Sequence, residues 1–136
     1  MDSDTTHILL IEDELDQANL FRTSLEGCGH KVVHVKDWVE ALDKLVIPEL
    51  RVAVVDLGLP GISGDEICKM IREVRGIENP MAIILFSAHP PSEVLRIAQK
   101  VKADAFVSKV SGVSGLNRAI EQVIEKFSFS TPSSRG

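Results

Sequence analysis

Five short apolar runs govern what this chain can become: Ile8 to Ile11, Val32 to Val35 with His34 inside it, Val52 to Val55, Ala82 to Phe86, and Ala105 to Val107. Three of them are nearly unbroken Ile, Val, Leu and Ala. A strand with one wet face alternates apolar and polar residues, so an unbroken run needs cover on both faces, the condition of a parallel sheet between two layers of helices. Between the runs the apolar spacing changes to i, i+3, i+4, i+7. It does so at Trp38, Ala41, Leu42 and Leu45, at Ile67, Met70, Ile71 and Val74, and at Val94, Ile97, Ala98 and Val101. Leu116, Ala119, Ile120, Val123, Ile124 and Phe127 extend the rule into a last helix, and Ala18, Phe21 and Leu25 give a weaker first one.

Strict alternation of strand and helix with right-handed crossovers predicts an α/β domain with a doubly wound, five-stranded parallel sheet. Asp37 and Ser63 each precede a glutamate (Glu40, Glu66) by the spacing of a capping box, and Gly27 and Gly76 are placed to close helices in left-handed conformation. A chain of 136 residues has room for one domain, large enough to keep a core without disulfides or a structural metal. Cys28 and Cys68, far apart and outside any CxxC, read as reduced thiols. The folded unit is expected over residues 1–127, with the serine-rich 128–136 as a flexible tail or linker stub.

Charge narrows the function. Fifteen basic against twenty acidic side chains give a net charge of -5, the wrong sign for a protein that binds by neutralising phosphates, so direct nucleic-acid binding is not expected. The longest wholly apolar run, Met81 to Phe86, is far short of the ~20 residues that span a bilayer. Met1-Asp2-Ser3-Asp4 lacks the basic start of a signal peptide. No membrane association and a cytoplasmic location are the expectations.

Parallel strands put all their carboxyl ends on one edge, where open α/β sheets bind ligands. Those ends carry Glu12-Asp13 after the first run, Asp56 after the third, Ser87 after the fourth and Lys109 after the fifth. The second run leads only into a helix cap, Asp37, as expected of an outermost strand in the order 2-1-3-4-5. Three carboxylates on one rim raise one another's proton affinity unless a cation joins them. Oxygen donors without clustered Cys or His suit Mg²⁺, whose two charges plus that of Lys109 balance the three acids.

With these residues in view, Leu9-Leu10-Ile11-Glu12-Asp13-Glu14, Asp56-Leu57-Gly58-Leu59-Pro60-Gly61 with Gly64, Ser87-Ala88 and Phe106-Val107-Ser108-Lys109 resemble the signature segments of the response-regulator receiver family, over roughly Thr6 to Lys126. The resemblance implies a flavodoxin-like (βα)5 fold and a phosphorylation-controlled signalling domain of a two-component system or phosphorelay. It implies that Asp56 accepts a phosphoryl group from a phosphohistidine on a sensor histidine kinase or histidine phosphotransfer protein. Asp13, Asp56 and the Gly58 backbone carbonyl would ligate Mg²⁺, with Glu12 acting through a metal-bound water. Lys109 and Ser87 would hold phosphoryl oxygens, and Ser87 with Phe106 would switch the surface of the fourth helix, fifth strand and fifth helix. That surface would meet a downstream effector, a fused output domain or a second copy in a homodimer. Two positions depart from the family's commonest pattern: Glu12 stands for an aspartate, and Val110 for the proline after the lysine, where a trans peptide is expected.

Several side chains also have plain readings: Asp56 as a cap or turn aspartate, Ser87 as a turn residue, Phe106 as strand packing, and His89 as a loop histidine near the fourth helix, rather than a contact of the phosphoryl group or of attacking water. Trp38 reads as packing. His30 and His34 flank a strand and are not expected to form a metal pair. Among rival functions, an aspartyl-phosphate-forming phosphatase of the haloacid-dehalogenase type places a general-acid aspartate two residues after its nucleophile, where this chain has Gly58. A serine hydrolase at Ser87 lacks the glycines of a nucleophile elbow. A nucleotide or flavin module lacks a Gly-rich loop after the first strand. A pseudo-receiver acting only as an interaction module is the remaining alternative.

Overall fold

The computed structural model describes residues 5–130, with side chains through 127. Its strands are β1 (His7–Ile11), β2 (Lys31–Val35), β3 (Leu50–Asp56), β4 (Ala82–Ser87) and β5 (Ala105–Ser108), all parallel and in the order β2-β1-β3-β4-β5. The helices between and after them are α1 (Leu15–Gly27), α2 (Trp38–Lys44), α3 (Gly64–Arg75), α4 (Pro91–Val101) and α5 (Gly112–Ser130).

The unbroken apolar runs are explained by two cores, one on each face of the sheet. Leu9, Ile11, Ala53, Val55, Ile83 and Leu85 point to Ala41, Ile67, Ile71, Val94 and Ala98 of α2, α3 and α4. The alternate residues Ile8, Leu10, Val52, Val54, Ile84 and Phe86 meet Ala18, Phe21 and Leu25 of α1 and Leu116, Ile120 and Val123 of α5. Period-2 geometry therefore sends successive apolar side chains into different cores, and neither face is left to water. No helix among the described residues is long and apolar enough to cross a membrane.

The structure differs from the sequence reading in four local respects. Ser63 and Glu66 form the complete capping box, whereas Asp37 caps Glu40 but Glu40 returns to the N–H of Lys36, one residue earlier. Gly27 stays within α1, and the positive φ belongs to Gly29, at 98°. Gly76 has a φ of 68° with a ψ of −170°, outside the left-handed helical region. Finally, α5 continues past residue 127 to Ser130, because no proline or glycine interrupts it between Leu116 and Ser130. Residues 131–136 of the expected tail lie outside the described residues.

The apolar stripes of α2 and α3 are also narrower than their spacing predicts. On α2, Trp38 and Leu42 are 37% and 40% exposed, because this short helix, which lies over β1 and β2, buries only Ala41. Near the end of α3 the buried position expected for Val74 is taken by Arg75. Its guanidinium donates to five backbone carbonyls, those of Asn79, Leu45, Ile47, Pro48 and Leu50, at the amino-terminal edge of the sheet. These carbonyls need donors, and a valine has none to offer.

Candidate functional site

Strand register brings the polar residues to one edge. Ile11 pairs with Val35 and Val55, Asp56 with Phe86, and Ser87 with Ser108, so Glu12, Asp13, Asp56, Ser87 and Lys109 all stand at or just beyond carboxyl ends of strands. One oxygen each of Glu12, Asp13 and Asp56 lies within 4.8 Å of the other two. Asp13 is exposed, while Glu12 and Asp56 are buried at 1% and 8% exposure. Hard oxygen donors at this separation, one of them open to solvent, fit a divalent ion that keeps part of its water shell, as Mg²⁺ does.

Lys109 draws two of these carboxylates together. Its Nζ donates to Glu12 Oε1 at 2.8 Å and to Asp56 Oδ2 at 3.3 Å, and sits 5.6 Å above the centre of the Phe86 ring. Phe86 is fixed in turn by an edge-on contact with Phe21, at 4.7 Å between ring centres. The ammonium thus has an apolar floor and acidic walls. Burial pulls the Lys109 pKa down, but the hydrogen bond to Glu12 and the charges of Asp56 and Glu12 outweigh it, and the net shift is upward. Burial pushes the Glu12 carboxyl up. Its bonds from Lys109 and from the Glu14 N–H oppose that push, the neighbouring Asp56 adds to it, and the net is again upward. Without a further cation, this rim has more negative charge than it can hold comfortably.

Gly58 directs its N–H to Asp56 Oδ1 at 3.0 Å, and a Cβ there would stand 3.5 Å from the same oxygen, so the turn lies against the carboxylate. Ser87 is fully buried. Its hydroxyl is engaged by its own loop, with His89 Nδ1 at 2.7 Å and the His89 N–H at 2.9 Å. Phe106 is 38% exposed, along a groove formed with Leu95, Ala98 and Lys102. The Val110 N–H donates to Ser108 Oγ at 3.2 Å, a bond proline could not make, and no cis peptide occurs among the described residues.

Two residues at this edge escaped the sequence reading. Gln17 accepts from Lys109 Nζ at 2.7 Å, and the signal for it was its place in the first turn of α1, which opens directly after the acidic pair. His34 donates from Nε2 to the Glu12 carbonyl at 2.8 Å. The second strand therefore does contribute to the rim, and the hint was a lone imidazole inside an apolar run. His30 instead meets Asn117 of α5 at 2.9 Å, so the two histidines form no pair.

The model of the response regulator receiver domain matches residues 8–121, a span that contains every element of this edge. The chain belongs to that family. The receiver is 27% identical over 125 residues to the transcriptional regulatory protein CseB of Streptomyces coelicolor, a match covering 92% of this chain and 52% of that protein. It is 26% identical over 127 residues to the alkaline phosphatase synthesis transcriptional regulatory protein PhoP of Bacillus subtilis, covering 93% and 52%. The chain thus spans about half the length of the curated relatives it matches. Among solved structures, a LuxR-family two-component response regulator from Aurantimonas superposes with a TM-score of 0.80 at 29% identity, covering 90% of this chain and 87% of that one. A receiver domain from Clostridium thermocellum gives a TM-score of 0.81 at 23% identity, covering 93% and 99%. The receiver is a signalling domain of two-component systems, whose members work with sensor kinases and output domains and bind Mg²⁺ at an acidic pocket; here the acidic cluster is Glu12, Asp13 and Asp56.

Proposed function

We propose that this receiver accepts a phosphoryl group on Asp56 from a phosphohistidine of a sensor kinase or phosphotransfer protein, in a Mg²⁺-dependent reaction. The observation that carries the reading is the contact of one ammonium, Lys109, with both Glu12 and Asp56 inside a carboxylate cluster that is open at Asp13. An Asp56 oxygen attacks phosphorus in line as the phosphorus–nitrogen bond of the donor breaks, and the electron pair leaves on the imidazole nitrogen, which is then protonated. Such transfer needs positioning and charge stabilisation more than proton movement. Asp13, Asp56 and the Gly58 carbonyl would hold the ion, with Glu12 behind a water. The ion supplies Lewis-acid neutralisation of phosphoryl oxygens. Lys109 supplies a second positive charge, and its Phe86 floor keeps water from below it.

The product exchanges a carboxylate for an acyl phosphate carrying up to two negative charges. Ser87 carries the hydroxyl at the carboxyl end of β4, and turning it to a phosphoryl oxygen would draw it from its bond with His89 Nδ1. Exchange of that bond, together with inward rotation of Phe106, would shift the population toward a second arrangement of the α4, β5 and α5 surface. The size of the shift is limited by how much better that state binds the phosphoryl group. An effector, an output domain or a second copy would read it.

Incubation with acetyl phosphate and Mg²⁺, followed by intact-mass measurement, tests the reading. The expected result is one phosphoryl adduct on the parent and none on Asp56→Asn. An unmodified parent would leave a phosphorylation-independent interaction module as the better account.

A further inference from the structure

An ammonium has three N–H bonds, and each one on Lys109 has a partner: Gln17 Oε1 at 2.7 Å, Glu12 Oε1 at 2.8 Å and Asp56 Oδ2 at 3.3 Å. The three are unequal. The two short bonds come from the first turn of α1 and from the end of β1, while the long one goes to the carboxylate that phosphorylation would convert. When Asp56 loses its charge to an acyl phosphate, the bond to exchange is the long one, and the short pair keeps the nitrogen in place.

Gln17 suits that task chemically. Lysine is a point charge on a flexible stem, so holding it still requires acceptors. A carboxylate at position 17 would hold it and also cancel the charge needed by phosphoryl oxygens. An amide oxygen holds it and leaves the charge intact. Only Oε1 can accept from an ammonium, which fixes the orientation of the half-buried Gln17 amide.

We propose that Gln17 is a positioning residue for phosphotransfer: its side-chain carbonyl, paired with Glu12, fixes the Lys109 ammonium above Phe86 so that its third N–H passes from Asp56 to the phosphoryl group. The part played by the phosphoryl group rests on the function proposed above, whereas the anchoring of Lys109 is a property of the unmodified chain. Gln17→Met, similar in length but with only a weak acceptor, tests both. In Mg²⁺, affinity for beryllofluoride, a phosphoryl mimic, should fall about tenfold, the scale of one hydrogen bond to a charged group. Affinity for Mg²⁺ alone should change by less than about twofold, since the Gln17 side chain acts on the carboxylates only through Lys109. The side-chain ¹⁵N resonance of the Lys109 ammonium, visible when its protons are held by acceptors, should broaden by exchange with water, and Gln17→Glu should restore it.

An unchanged Lys109 resonance in Gln17→Met overturns the proposal, as does an equal loss of Mg²⁺ and beryllofluoride affinity, which would make Gln17 a general support of the loop. If the parent binds no beryllofluoride, the phosphoacceptor reading falls instead. The resonance then decides the anchoring by itself: its loss in Gln17→Met upholds Gln17 as the anchor, and its persistence removes it.

Discussion

Lys109 and Arg75 are cations taken out of water at opposite edges of one sheet, with 14% of the lysine side chain and 8% of the arginine left exposed. Lys109 stands at the carboxyl edge among two carboxylates and one amide, on a stem that can move. Arg75 stands at the amino edge and spreads its planar fork over five backbone carbonyls, two of which, those of Ile47 and Pro48, share it with a second donor. Partners that can be exchanged suit a group that must respond to a newly bound anion. Partners fixed in the main chain suit a group that closes a structure. On the proposed function, the difference separates the edge that reacts from the edge that holds.

Exchanging each cation for methionine breaks the comparison most severely. Arg75→Met removes the shared donor of five carbonyls, the buried bonds to Leu45 and Leu50 among them, and is expected to lower the unfolding free energy by about 3–5 kcal/mol, read as a shift in the denaturant midpoint. The folded fraction should still be phosphorylated at the parent rate. Lys109→Met should reverse the pattern. Loss of one preorganised charge-stabilising donor lowers the phosphorylation rate by about 10²–10³-fold. Stability should fall by only about 1–2 kcal/mol, because Glu12 can take up a proton once its counter-charge is gone. Equal stability losses in the two variants would erase the distinction between the edges.

Why one of these cations was legible in the sequence and the other was not follows from what each binds. Lys109 follows a short apolar run, and the carboxyl edge of a parallel sheet collects whatever follows such runs, so topology alone brought Glu12, Asp13, Asp56, Ser87 and Lys109 to one rim. Cover on both faces pointed to the parallel, doubly wound sheet, while the order 2-1-3-4-5 was read from the second run, which leads only into the helix cap Asp37. Arg75 binds main-chain carbonyls, which every residue possesses, so no side-chain pattern marks its partners, and the helical period pointed to Val74 instead. Gln17 and His34 were missed for a related reason: each acts on an atom of another site residue, Lys109 Nζ or the Glu12 carbonyl, and such support becomes visible only with three-dimensional contacts.

A smaller effect sharpens the account of the reactive edge. Burial raises the Glu12 pKa above its ordinary 4.5, so the folded state binds that proton more tightly than the unfolded chain does. The associated stability is fully present below pH 4.5 and is lost as pH rises through the raised value. In chelator, the parent should therefore lose stability between pH 4.5 and neutrality relative to Glu12→Gln, by an amount on the order of 1 kcal/mol for each tenfold gain in proton affinity on folding. Mg²⁺ should reverse the loss in the parent, by up to about 2.7 kcal/mol at a hundredfold excess over its dissociation constant, and less in the variant. Parallel pH profiles for the two proteins would mean that the site tolerates its charge without a cation.

A kinetic reading tests the holding edge from inside. Cys68 is buried on α3, on the same helix as Arg75, and desolvation pushes its thiol up to about 11, while Cys28 is exposed. At pH 8 only about one part in a thousand of Cys68 is thiolate even before access is considered, so a thiol reagent should modify Cys28 promptly and Cys68 only through opening of the structure. Counting modified thiols by mass against time gives both rates. Lys109→Met, with its smaller stability loss, should accelerate the slow rate by about 5- to 30-fold. Arg75→Met should accelerate it by a factor that follows its loss of stability, roughly tenfold per 1.4 kcal/mol if opening is global. A slow rate that does not respond to Arg75→Met would mean that α3 opens locally, without releasing the carbonyl cluster, and that the guanidinium holds the loop before β3 more than it holds the helix.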